Sequence, residues 1–181
     1  SANTSSPLPP RPGDLPCPDS HTPGTTLEGT SSSPCSGNAL GRLPWKTLGL
    51  PDLRDGSGER LWYAVSTNFK NSPRSGTLNS DTLGTISVFS PDGNLLYDGS
   101  GSTGVVAVIL APGEVLTRQG GSSVQDRSSS GINTASNYLD IATVGGVTED
   151  NASFVDGSAT NGFIQGRIKN NSNAVILNDQ I

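Results

Sequence analysis

The run Leu83-Gly-Thr-Ile-Ser-Val-Phe-Ser-Pro-Asp-Gly-Asn-Leu-Leu-Tyr97, continued by Asp98-Gly-Ser-Gly-Ser-Thr-Gly-Val-Val-Ala-Val-Ile-Leu-Ala111, decides the fold class. Residues 83–89 alternate apolar and polar side chains at period two, as a half-buried strand does. Ser90-Pro-Asp-Gly-Asn94 is a turn, because Pro91 sets φ at the first corner and Gly93 supplies a positive φ. Residues 94–97 return as the partner strand, so 83–97 is predicted to be an antiparallel hairpin. The run 104–111 is continuously apolar, which predicts a central strand covered on both faces and ended by Ala111-Pro-Gly113.

Outward from this hairpin the same pattern recurs. Leu61-Trp-Tyr-Ala-Val-Ser66 joins aromatic and β-branched residues into a strand. Phe163–Ile168 and Ala174–Asn178 flank Asn170-Asn-Ser-Asn173, a second predicted hairpin. Residues 42–55 are rich in large apolar side chains spaced by turn formers and are expected to wrap over a core. Residues 134–140 suit a short helix capped by Thr134 or Asn133. Residues 67–82 and 141–161 are expected to be loops, and the Ser/Gly-rich stretch 119–133 a mobile one. Residues 1–40 carry Pro at 7, 9, 10, 12, 16, 18, 23 and 34, which forbids helix and central strand. The domain reading is therefore an arm and loop over 1–40 and one β-rich head over 41–181.

Composition agrees. Apolar residues make up 31% of 181, while Gly (23) and Pro (13) are abundant for a helical protein. Net charge is −5, and the 11 Lys and Arg are scattered singly. Nucleic-acid binding needs a positive stripe, and none is present. No apolar run reaches the roughly 18 residues of a membrane span. There is no Met, so the chain is expected to be a fragment or a processed product.

Chemistry finds few footholds. The single His21 lies in the Pro-rich arm, where no nucleophile is expected to be held against it, so a Ser–His–Asp enzyme is not expected. A zinc site lacks ligands. Gly99-Ser-Gly-Ser-Thr-Gly104 matches a dinucleotide fingerprint only superficially, since it joins two strands rather than opening a helix. Asp52, Asp55, Glu59, Asp92 and Asp98 are the carboxylates a glycosidase or a calcium loop could draw on, but nothing in the sequence sets any pair beside a cleft, and the calcium-loop spacing is absent. No cofactor is expected. Cys17 and Cys35 sit in a segment too polar to pack itself, which predicts a disulfide and an oxidising compartment; two unpaired thiols are the alternative.

The stretch Gly41-Arg-Leu-Pro-Trp-Lys-Thr-Leu-Gly-Leu-Pro-Asp-Leu-Arg-Asp-Gly-Ser-Gly-Glu-Arg-Leu-Trp-Tyr-Ala-Val-Ser66 resembles the globular region of the type IV pilin-like family of Gram-negative bacteria, related to minor pilins and type II secretion pseudopilins. Leu15-Pro-Cys-Pro-Asp19, Leu78–Thr85, Val105–Gly113, Asn137-Tyr-Leu139 and Asn178-Asp179 are similar to the same family.

The resemblance implies a membrane-anchored precursor in the cell envelope whose N-terminal apolar helix is missing here. It implies a non-catalytic head displayed on an extracellular fibre and assembling with other pilin or pseudopilin subunits through that helix. It also implies an α+β class, with an antiparallel sheet and little helix in these residues, and one sheet face left bare. Cys17 and Cys35 would staple the arm to the head. Trp45, Leu48, Leu50 and Leu53 would pack over the sheet, with Trp62, Tyr63, Val106 and Val108 in the core. Arg54, Asp55 and Arg60 would form a charged corner, a solvated loop being the alternative. The other class of function is an adhesin-like module that binds a host surface or glycan.

Overall fold

The computed structural model describes residues 12–119, 124–128 and 131–181. Ten short strands carry it: β1 (Ala39–Arg42), β2 (Trp62–Val65), β3 (Val88–Phe89), β4 (Leu95–Tyr97), β5 (Ala107–Leu110), β6 (Ile141–Val144), β7 (Val147–Asp150), β8 (Phe163–Ile164), β9 (Ile168–Lys169) and β10 (Val175–Leu177). The fold is essentially all-β, which overturns the α+β expectation. The only helical element among the described residues is one 3₁₀ turn, Ala135–Asn137. The helical half of that expectation rested on the resemblance.

The central sheet runs β1-β2-β5, antiparallel throughout, with Tyr63 opposite Gly41 on one side and Ile109 on the other. All four residues of β2 are buried, so alternate side chains supply two different cores. Trp62, Ala64, Val108 and Leu110 join Ile86, Val88, Tyr138, Leu139, Phe154 and Phe163 on one face. Tyr63, Val65 and Ala39 face the other side and pack with Leu43, Leu15, Cys35 and Phe69. Leu15 and Cys35 thus help to cover the second face of the central sheet.

A second sheet runs β4-β3-β8, antiparallel at β3-β4 and parallel at β3-β8. It lies against a third cluster of Phe89, Ala142, Ile164, Ile168 and Leu177. The predicted 83–97 hairpin is present but short. Ile86 makes an isolated bridge to Val105, and regular pairing starts only at Val88. Gly84 allows this approach: a Cβ there would stand 2.3 Å from the Val105 backbone.

Residues 141–150, expected to be a loop, form the β6-β7 hairpin with four pairs in register. Its turn is Gly145-Gly146, both at positive φ (60° and 83°), as a two-residue hairpin turn requires. The strand expected over 163–168 is two strands broken at Gly166. The expected helix over 134–140 tightens to the single 3₁₀ turn, and Thr134 makes no side-chain cap. From there Tyr138 and Leu139 turn inward to the main core. The run 104–111 is not central; β5 ends the three-stranded sheet, and Ile109 is 48% exposed.

Candidate functional site

The segment Leu15–Asp19 is clamped at both ends. Leu15 N–H donates to Phe69 O, and Leu15 O accepts from Asn71 N–H, each at 2.8 Å. Asp19 and Arg42 exchange both backbone hydrogen bonds at 2.8 Å, which adds residue 19 to the edge of β1. Tyr63 Oη donates to Pro16 O. Cys17 and Cys35 are joined as a disulfide across a separation of 18 residues. Such a bridge hints at an oxidising, extracytoplasmic location. Among the described residues no helix is long and apolar enough to cross a membrane.

Inside the disulfide loop stands the constellation nearest to chemistry. Asp19, 2% exposed, accepts from His21 N–H at 2.8 Å and from Gly29 N–H at 2.7 Å. His21 Nδ1 lies 2.9 Å from Asp19 Oδ1 and 3.1 Å from Ser32 Oγ. A cleft of about 440 Å³ lies beside it, lined by His21, Ser31–Ser36 and Asn38. Sequence reasoning missed this ordered Asp–His–Ser group because it expected nothing in the Pro-rich segment to be held against His21. The geometry stops short of a relay, though. A triad needs the carboxylate on one ring nitrogen and the hydroxyl on the other, whereas both sit on Nδ1 here. The group acts as a clasp that closes the loop.

The sequence-predicted residues divide cleanly. Trp62, Tyr63 and Val108 are buried, and Val106 is half-buried. Trp45 is half-buried with its ring against Gly29. Leu48, Leu50 and Leu53 are 39–40% exposed and do not pack over the sheet. Their segment is tied by its own turn instead, with Leu48 N–H on Pro44 O and Leu50 N–H on Trp45 O.

The charged corner forms with different partners. Arg54 and Arg60 both bond Asp52, at 2.8 and 3.3 Å, and Arg60 also pairs with Glu28. Partial burial would raise the Asp52 carboxyl, but hydrogen bonds from Arg54 and Arg60 outweigh it and hold the pKa below its ordinary value. Asp55 takes no part in the ion pairs. Its carboxylate accepts from Ser57 and Glu59 N–H at 2.9 Å and from Gly113 N–H at 2.8 Å, pinning this turn to the residues after β5.

A buried carboxyl node went unread in the sequence. Asp140, Glu149, Asn151 and Asp179 are all 0% exposed. Asp179 Oδ2 accepts from Asp140 N–H and Asn151 Nδ2, each at 2.8 Å, while Asp179 Oδ1 has no partner. Asp140 accepts from Gln125 Nε2 and Asn178 N–H. Asn151 also pairs with both backbone groups of Ile164. The node therefore ties β8 and the end of the chain to the start of β6. Burial pushes the Asp140 carboxyl up to about 6. Burial, followed by the charge of Asp140, pushes Asp179 well above its ordinary value. Burial also raises Glu149 against the pull of the Gly162 N–H. The signal available was a carboxylate set directly against apolar runs, Tyr138-Leu-Asp-Ile-Ala142 and Val175-Ile-Leu-Asn-Asp179.

No group of three or more His, Cys, Asp or Glu able to hold a metal ion occurs among the described residues. Comparison of the chain with family models, with curated proteins and with solved structures finds no match in any of the three.

Proposed function

We propose that this chain is the display head of a fibre or secretion assembly of the type IV pilin-like kind, a structural component of the cell envelope rather than a catalyst. The observation that carries the reading is the clamping of Leu15–Asp19. Its backbone bonds run to Phe69, Asn71 and Arg42, and its Cys17 is covalently joined to Cys35. A stalk entering from the N-terminal side would pull on a segment hydrogen-bonded to the edge of the central sheet. The disulfide would carry that load around the loop instead of through hydrogen bonds alone, which is the task of a subunit that holds its head outside the cytoplasm. The Asp19–His21–Ser32 clasp supports the same role, since it binds the loop together and leaves no hydroxyl activated for attack.

The test is the N-terminus of the native protein, taken from cell envelopes and read by mass spectrometry. A methylated N-terminal residue followed by about 20 apolar residues is the expected result. A conventional signal-peptide cut close to Ser1 would refute the reading.

A further inference from the structure

Three turns converge on a second groove, of about 690 Å³. They are the β3-β4 turn with Asp92, the β6-β7 turn with Gly145, and the β9-β10 turn over 170–172. That volume falls within the range of small-ligand sites, roughly 300–1,000 Å³. Arg167 and Lys169 both line it. They flank the buried Ile168 and are exposed, so the alternation of an extended chain turns them to one side.

Arg167 stands apart from the other described arginines. Arg54, Arg60, Arg74, Arg118 and Arg127 each pair with a carboxylate, and Arg42 bonds two carbonyls and the Asn133 side chain. Arg167 makes no hydrogen bond or ion pair among the described residues, and Lys169 meets only the neutral Asn173 amide at 2.9 Å. The side chains of Asn171 and Ser172, which line the groove beside them, likewise have no partner among the described residues. Asp92 is the single carboxylate in the lining, so the groove is locally cationic on a chain of net charge −5.

We propose that this groove binds a carboxylate-bearing saccharide. Arg167 and Lys169 take the carboxylate, and the Asn171 and Ser172 side chains take sugar hydroxyls. A guanidinium fork matches a carboxylate with two parallel N–H···O bonds, and amides and hydroxyls suit the mixed donor and acceptor character of a sugar. Val144 and Ile176 supply apolar floor for a ring face, and no aromatic ring lines the groove. A lone stacking surface of that kind gives weak, millimolar binding that strengthens only when several heads act together. This inference does not rest on the fibre reading, which could fail while the groove still binds.

The test titrates the full chain with 3′-sialyllactose, digalacturonate and neutral lactose by NMR, following the backbone amides of Val144, Gly145 and Asn170–Ser172. The expected result is saturable shifts at those amides with at least one carboxylated sugar and none with lactose. Arg167→Gln should weaken binding about tenfold with an unchanged melting temperature, because its exposed side chain holds nothing in the fold. No shift with either acid sugar at concentrations well above millimolar would overturn the proposal. So would equal binding of lactose, or unchanged affinity in Arg167→Gln. Equal competition by inorganic sulfate or by triglutamate would overturn the saccharide assignment.

Discussion

Mild acid should stabilise this protein, and the Asp140–Asp179 node is the reason. A carboxyl whose pKa is raised by folding carries no penalty below its unfolded pKa, where both states are protonated. The penalty grows as pH rises, because the unfolded chain ionises first, and it is complete once pH passes the folded value. For Asp140 the window runs from 3.8 to about 6. At about 1.4 kcal/mol per pH unit the full penalty is about 3 kcal/mol, of which roughly half is recovered on going from about pH 7.5 to about pH 5. Asp179 and Glu149 shift in the same direction, so they add to the gain. Arg127 and Arg118 oppose it at Asp140 and are already included in that value. For a domain of this size a gain of about 1–2 kcal/mol corresponds to a rise in melting temperature of a few degrees.

Thermal unfolding followed by circular dichroism between those two pH values checks this. Asp179→Asn is the companion variant. Both hydrogen bonds at Asp179 fall on one oxygen, which an amide oxygen can replace. The variant should melt higher at neutral pH and show a shallower acid gain. A wild-type melting temperature that is flat or falls on acidification would refute the reasoning, as would an Asp179→Asn slope equal to the wild type.

Phe163→Ala should cost roughly 3–5 kcal/mol in denaturant unfolding, because Phe163 is fully buried with its ring 4.6 Å from that of Phe154; a loss no larger than that of a surface change would displace it from the core. Cys17→Ser with Cys35→Ser should lower stability by roughly 3 kcal/mol, read by the same method, while adding reductant to the wild type should reproduce the loss. Gly84→Ala should destabilise by several kcal/mol or prevent folding, since its Cβ would meet the Val105 backbone rather than a movable side chain. Leu50→Ser should change stability by less than about 0.5 kcal/mol, because Leu50 is 40% exposed; a large loss would put it back over the sheet.

The particular elements show what was readable. β2, β4, β5 and β10 fall inside predicted strands, because β-branched and aromatic runs bounded by Gly, Pro and Asn report local preference directly. The β6-β7 hairpin escaped although Val144-Gly-Gly-Val147 carries a hairpin turn, because its strands show little apolar alternation and only Ala142 and Glu149 of their eight residues are buried. The exposed Leu48, Leu50 and Leu53 were misplaced because apolar character does not say which side of a turn faces water.

Of the candidate sites, the disulfide alone was legible, since two cysteines in a polar segment leave few other uses. The carboxyl node and the cationic groove were not, because each gathers residues from separate parts of the chain, and the Asp19–His21–Ser32 clasp was not, because a Pro-rich loop carries no periodic signal of how it closes.

The sequence by itself determined a β-rich chain and a paired Cys17 and Cys35; these follow from residue type and local spacing. Only the tertiary structure decided that Leu15 and Cys35 cover the second face of the central sheet, that Asp140 and Asp179 are buried together, and that Arg167 has no partner among the described residues. Burial and pairing are properties of contacts between distant residues, and periodicity along the chain carries no record of them.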